Sequence, residues 1–129
     1  MTSDITAYNA ALTGEDKAIC DALAREITTN LKFTESKLWH GHPVWFINGN
    51  PIRGYAKRKM GVTLLFWSGQ SFTEPGLSPE GTFKAAEAKY VTGADIDITK
   101  LKIWLKESET VQWDYKNIIK KKGRLDQLT

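Results

Sequence analysis

Two histidines, His40 and His42, flank a single glycine. On an extended chain residues two apart point to the same side, so both imidazoles can approach one metal ion. A third ligand has to come from elsewhere, since a catalytic zinc site takes about three protein ligands and the chain has no His-Glu-x-x-His pattern. Carboxylates offer a second metal candidate. Glu15 and Asp16, followed by Asp21 and Glu26, fall along one predicted helix, where their oxygens suit hard cations. Lys17 and Arg25 interrupt that negative field, and a solvated helix face is the competing reading. The third candidate is a sheet face. Arg53, Tyr55 and Lys57 share one side of a predicted strand, while Trp45 and Trp67 lie on its neighbours and Trp39 just ahead of them. Cations beside indole faces suit an anionic aromatic ligand, single-stranded nucleic acid or a protein surface. The alternative keeps the tryptophans in the core and the cations in water. Strand register decides between the two, and the alternation pattern leaves it open.

No stretch spells out a reaction. The chain shows no telling Ser/His/Asp order, no Gly-rich phosphate loop and no paired carboxylates, and Ser68-Gly69-Gln70-Ser71 lacks the Gly-x-Ser-x-Gly pattern of a nucleophile elbow. Cys20 has no basic neighbour in sequence and reads as a half-buried structural thiol. A non-enzymatic binding protein without catalytic residues is the expectation.

The elements that must position these residues follow from periodicity. Residues 1–12 read as a loose lead-in, with Tyr8 and Leu12 able to pack on the domain. Thr13 is a plausible N-cap, and Ile19, Leu23, Ile27 and Leu31 recur every fourth residue, which predicts an amphipathic helix fading near residue 32. Val44-Trp45-Phe46-Ile47 has the aromatic and β-branched make-up of a strand. Asn48-Gly49-Asn50 signals a hairpin, and a second strand returns from about Ile52 to Lys57. Lys59-Met60-Gly61 turns the chain again into a third strand, Val62 to Trp67. A long Ser/Gly/Pro loop spans 68–81, and a short fourth strand is expected over 88–92. Asp97 or Thr99 caps a helix carrying Leu101, Trp104 and Leu105, and a second helix places Val111, Tyr115, Ile118 and Ile119 on one side. Its basic tail, Lys120 to Lys122, and Gly123 suit a helix C-terminus.

This order predicts a single α+β domain over residues 1–129. Its form is a two-layer sandwich, with an antiparallel β-meander packed against N- and C-terminal helices. One sheet face is covered by helices; the other is open or covered by a partner chain, a homodimer included. No apolar run approaches the ~20 residues that span a bilayer, and the first residues lack the pattern of a secretory signal. The single cysteine excludes an intramolecular disulfide, and together these features point to the cytoplasm. A net charge of +3 is too modest to argue for nucleic acid as the partner.

Between Lys37 and Trp67 the chain also resembles the YdhG-like domain family, a bacterial family of domains of unknown function. The resemblance rests on Lys37, on Gly41-x-Pro43 ahead of an aromatic strand, on the Asn48-Gly49 turn and on the apolar strand Leu64-Leu65-Phe66. With the leading helix and the closing helix around Leu101 to Leu105, it covers most of residues 8–107. It implies a compact α+β sandwich like that of frataxin, to which some members have been likened as iron chaperones. It also implies iron as the cargo and iron–sulfur or haem assembly proteins as partners. His40, His42, Glu15 and Asp16 would then be the metal ligands.

Overall fold

The computed structural model describes residues 2–30 and 32–128. Six antiparallel strands form one sheet in the order β1-β2-β3-β4-β6-β5: β1 (Glu35–Trp39), β2 (His42–Ile47), β3 (Asn50–Arg58), β4 (Gly61–Phe66), β5 (Ser78–Pro79) and β6 (Ala86–Tyr90). Helices α1 (Ser3–Ala10), α2 (Gly14–Asn30) and α3 (Ile98–Thr110) supply the second layer. The expected α+β sandwich is what the chain forms. Three corrections accompany it. Residues near the N-terminus are helical rather than a loose lead-in, with Tyr8 and Leu12 packed against the core. Glu35–Trp39, read as no element, is a strand. The predicted helix from Val111 to Ile119 is absent; the chain forms only a 3-10 turn over Tyr115–Asn117 and doubles back, so that Trp113 bridges Gln127.

Helix α2 buries Ile19, Leu23 and Ile27 as their spacing requires, while Leu31 lies outside the described residues. Each such side chain contributes on the order of 1.5–3 kcal/mol through removal of apolar surface from water. These residues meet Trp45 of β2, Tyr55 of β3, Leu64 and Phe66 of β4, and Leu101 and Trp104 of α3 in one core. Cys20 is fully buried in this cluster. Burial, with Asp16 and Asp21 adding to it, pushes its thiol up to about 12, so it is inert as a nucleophile.

Turn chemistry sets the register. His40 and Gly41 both take positive φ (52° and 82°), as do Asn48 and Gly49 (50° and 83°). Paired positive φ is the signature of the two-residue turns whose twist matches a hairpin. Between the pairs Trp45–Arg53 and Phe46–Pro51 the register shifts, leaving Ile52 as the extra residue of β3. Beyond the shift Arg53 faces Phe66, Tyr55 faces Leu64, and Gly54 lies between Val44 and Leu65.

Both sheet borders are blunted. At β1 the outward amide of Leu38 donates to Asp4 Oδ2 (2.8 Å), which docks α1 on that edge. At the other border β5 has two residues, one of them Pro79, which has no amide to offer.

Two outcomes follow from this packing. A Cβ at position 54 would sit 2.5 Å from the Pro43 carbonyl oxygen, and this neighbour is backbone. Gly54→Ala should therefore destabilise the fold by roughly 1–3 kcal/mol, the usual cost of overpacking, in a denaturant melt; an unchanged midpoint would contradict the close approach. The Leu38 amide, chiefly, holds the Asp4 carboxyl below its ordinary 3.8. Its contribution is thus present at neutral pH and lost only as pH falls below about 3.8 through the lowered value. Asp4→Ala should accelerate hydrogen exchange at Leu38 at neutral pH, and progressively less as acid titrates the wild-type carboxyl through its lowered value.

Candidate functional site

All three helices lie on the face that carries Trp45, Arg53, Tyr55 and Phe66. Among the described residues no helix covers the opposite face, and there the sheet forms a groove of about 610 Å³. Its floor alternates out from the core: Val44 on β2, Gly54 and Ala56 on β3, Thr63 and Leu65 on β4. Gly54 and Ala56 leave the centre low.

Trp39 forms one wall. Its ring meets Phe46 edge-on at 5.5 Å between centroids, lies 6.1 Å from Trp67 at a 45° tilt and stands 4.5 Å from His40. Offset and edge contacts of this kind suit the charge distribution of aromatic rings and keep the indoles from collapsing into a single stack. The far wall comes from Glu80 and from Glu87 and Lys89 of β6. The end nearest the β3–β4 turn is lined by Arg58, Lys59 and Met60, the last 77% exposed.

The predicted sheet-face set is divided by the register. Trp39 and Trp67 line the groove. Trp45 and Arg53 are fully buried under the helices, and Tyr55 is buried there with its hydroxyl donating to Asn9 Oδ1 (2.7 Å). Burial raises the Tyr55 phenol far above its ordinary value. Arg53 spans from β3 to the chain leaving α2: its Nη2 donates to the Lys32 carbonyl (2.9 Å) and its Nη1 to Ser108 Oγ (3.3 Å). Desolvation lowers it to about 10, so it is still a cation at neutral pH. Lys57 is exposed beyond the groove, its amide donating to the Tyr8 hydroxyl (3.0 Å). An anionic aromatic ligand resting on Trp45, Arg53 and Tyr55 is therefore excluded by burial.

The predicted metal ligands do not form one set: His40 and His42 both line the groove, while Glu15 and Asp16 are on α2 and do not. His40-Gly41 is the tight turn between β1 and β2, not an extended segment, so the alternation that would aim both imidazoles to one side does not apply. Glu15 Oε2 accepts from the Gly93 amide (2.9 Å), Asp21 pairs with Lys17 (2.6 Å) and Glu26 accepts from Asn30 (2.7 Å). Asp16 lies in the first turn of α2. Among the described residues no group of three His, Cys, Asp or Glu side chains is placed to hold a metal ion.

Groove residues that the sequence reading passed over are Val44, Gly54, Ala56, Arg58, Leu65, Glu87 and Lys89. The available signal was the small-residue face Gly54-x-Ala56-x-Arg58, the other side of the strand that drew attention to Arg53. No helix among the described residues is long and apolar enough to cross a membrane. In comparisons with known proteins, no family model, no curated protein and no solved structure matches this chain.

His42 also lines the groove, its ring 6.3 Å from that of Tyr8 and its Nδ1 without a hydrogen-bond partner among the described residues. Burial, and secondly the positive charge of Arg58, lower its imidazole below the ordinary 6.5. A histidine held neutral in the folded chain loses stability as pH falls from about 6.5 through its lower folded value, where the unfolded chain binds the extra proton. An NMR titration should place the His42 midpoint below 6.5, and Arg58→Gln should raise it only part of the way, since burial is the larger cause. A midpoint at or above 6.5 in the unaltered protein would refute this picture.

Proposed function

We propose that this protein is a binding module that takes a small, planar, largely apolar molecule into the groove on the uncovered sheet face. The observation that supports this reading is the wall formed by Trp39 and Trp67 above a floor lowered by Gly54 and Ala56. Ligand sites are concave, mostly apolar and carry a few convergent polar groups; a volume of about 610 Å³ lies within the usual range. Two half-buried indoles side by side offer a flat ligand two aromatic contacts. The setting we propose is the reducing cytoplasm, in keeping with a single thiol that is buried rather than paired.

Iron handling, with transfer to iron–sulfur or haem assembly proteins, is the role that the YdhG-like resemblance implies. The separation of Glu15 from the two groove histidines, with no group of three ligating side chains among the described residues, lends it no support. Ferrous iron therefore enters the test as a comparison.

Titration with naphthalene derivatives, followed by tryptophan fluorescence and calorimetry, examines the proposal. We expect saturable binding at one site per chain. Trp39→Ala and Trp67→Ala should each weaken it roughly two- to tenfold, the value of an aromatic contact, whereas Ile119→Ala, at a 90% exposed position far along the chain, should leave it unchanged. Equal affinity in all four proteins, or saturable binding of ferrous iron alone, would sink the proposal.

A further inference from the structure

The charges around the groove are not mixed evenly. Arg58 continues the open-face series Gly54, Ala56 by the two-residue period of β3, at the end where β3 turns into β4. Lys89 of β6 faces Thr63, which in turn faces Ala56, so Lys89 stands two strands away on the same side of the sheet. With strands about 4.8 Å apart, these two long side chains border one patch roughly 10 Å wide. The residues between them are small. The two carboxylates of the groove lie elsewhere: Glu87 faces Leu65, one inward-outward repeat nearer the Trp67 end, and Glu80 precedes β6.

Neither Arg58 nor Lys89 forms an ion pair among the described residues, so both charges are open to a ligand in the groove. Lys59, next to Arg58 on the same rim, forms none either. His42 adds an imidazole nitrogen without a hydrogen-bond partner among the described residues at this end. A cationic end with unpaired donors, continuous with an aromatic wall, matches a ligand that is itself divided into a charged head and a flat body.

We propose that the groove selects a planar aromatic anion, whose carboxylate or comparable acidic group is received by Arg58 and Lys89 while its ring system lies along Trp39 and Trp67. This rests on the reading of the groove as a small-molecule site. The ligand has one orientation, because Glu80 and Glu87 repel the same acidic group at the reversed position. A guanidinium and an ammonium two strands apart differ in what they add. Arg58 fixes the plane of a carboxylate through its forked donors, and Lys89 adds a mobile point charge.

Three probes of one shape separate the claims: naphthalene-2-carboxylate, the neutral 2-naphthylmethanol and the cationic 2-naphthylmethylamine. At low salt the carboxylate should bind roughly three- to tenfold more tightly than the alcohol, as expected for partly exposed ion pairs, and the amine should bind more weakly than either. The preference should shrink at high salt. Arg58→Gln and Lys89→Gln, both at surface positions, should each reduce the preference for the carboxylate over the alcohol, with the near-ultraviolet dichroism unchanged. Equal binding of carboxylate and alcohol would overturn the anion inference and leave the small-molecule reading standing. No binding of any probe would remove that reading and the inference with it. Self-association in sedimentation that the probes reverse, and that Trp67→Ala abolishes, would assign the groove to a second copy of the chain and overturn both.

Discussion

Register in the β1–β2–β3 meander is held by two positive-φ turns and by the extra residue Ile52, and the environment of nearly every large side chain follows from it. Because side chains alternate between faces, a slip of one residue would exchange the two sides of β3. Arg53 and Tyr55 would then emerge into water, and Gly54 would be set beneath the helices with nothing to fill the space. The pairing seen here does the reverse. It carries Trp45, Arg53 and Phe66 as one row under the helices and leaves the low row Val44, Gly54, Leu65 on the uncovered side. Gly54 is required by its neighbour as much as by its own strand, since the Pro43 carbonyl occupies the place of a Cβ.

Arg53 shows how a residue that looks suited to ligand binding comes to serve the fold instead. Its charge is compensated by a main-chain carbonyl and a hydroxyl rather than by a carboxylate in direct contact, with Glu109 only a more distant influence. A neutral acceptor set avoids desolvating a second ion, and the guanidinium ties β3 to the segment leaving α2 and to α3. Asn50 does similar work at the start of the same strand. Its amide donates to Gln112 and to the Trp113 carbonyl, and its oxygen accepts from Lys116, which fastens the C-terminal segment to the sheet.

Much of this architecture was legible in the residues. The fourfold apolar repeat of α2, the Asn48-Gly49 turn and the alternation in β3 and β4 each carry a strong local signal, and the two-layer class follows from their order. The strand β1 was not legible, because Glu35-Ser36-Lys37-Leu38 has too few apolar residues to alternate visibly; it exists because β2 offers an edge and Asp4 covers the other side. The expected helix after Val111 fails for a tertiary reason: Asn50 captures the backbone at Trp113 and Lys116, and Asp114 draws in Asn117 and Lys121. At the groove, Trp39 and Trp67 stood out by type, but the face they occupy depends on which side the helices choose, and no local pattern encodes that choice.

The two blunted borders have a consequence for assembly. A sheet whose outer strands present free amides can grow by adding strands from other molecules, and such growth has no natural end. Here the Asp4 carboxylate occupies an amide on one rim, and the other rim stops at Pro79 after two residues. Contacts with other molecules are thereby steered away from the rims and towards the broad side of the sheet, where surfaces meet by shape and association is finite.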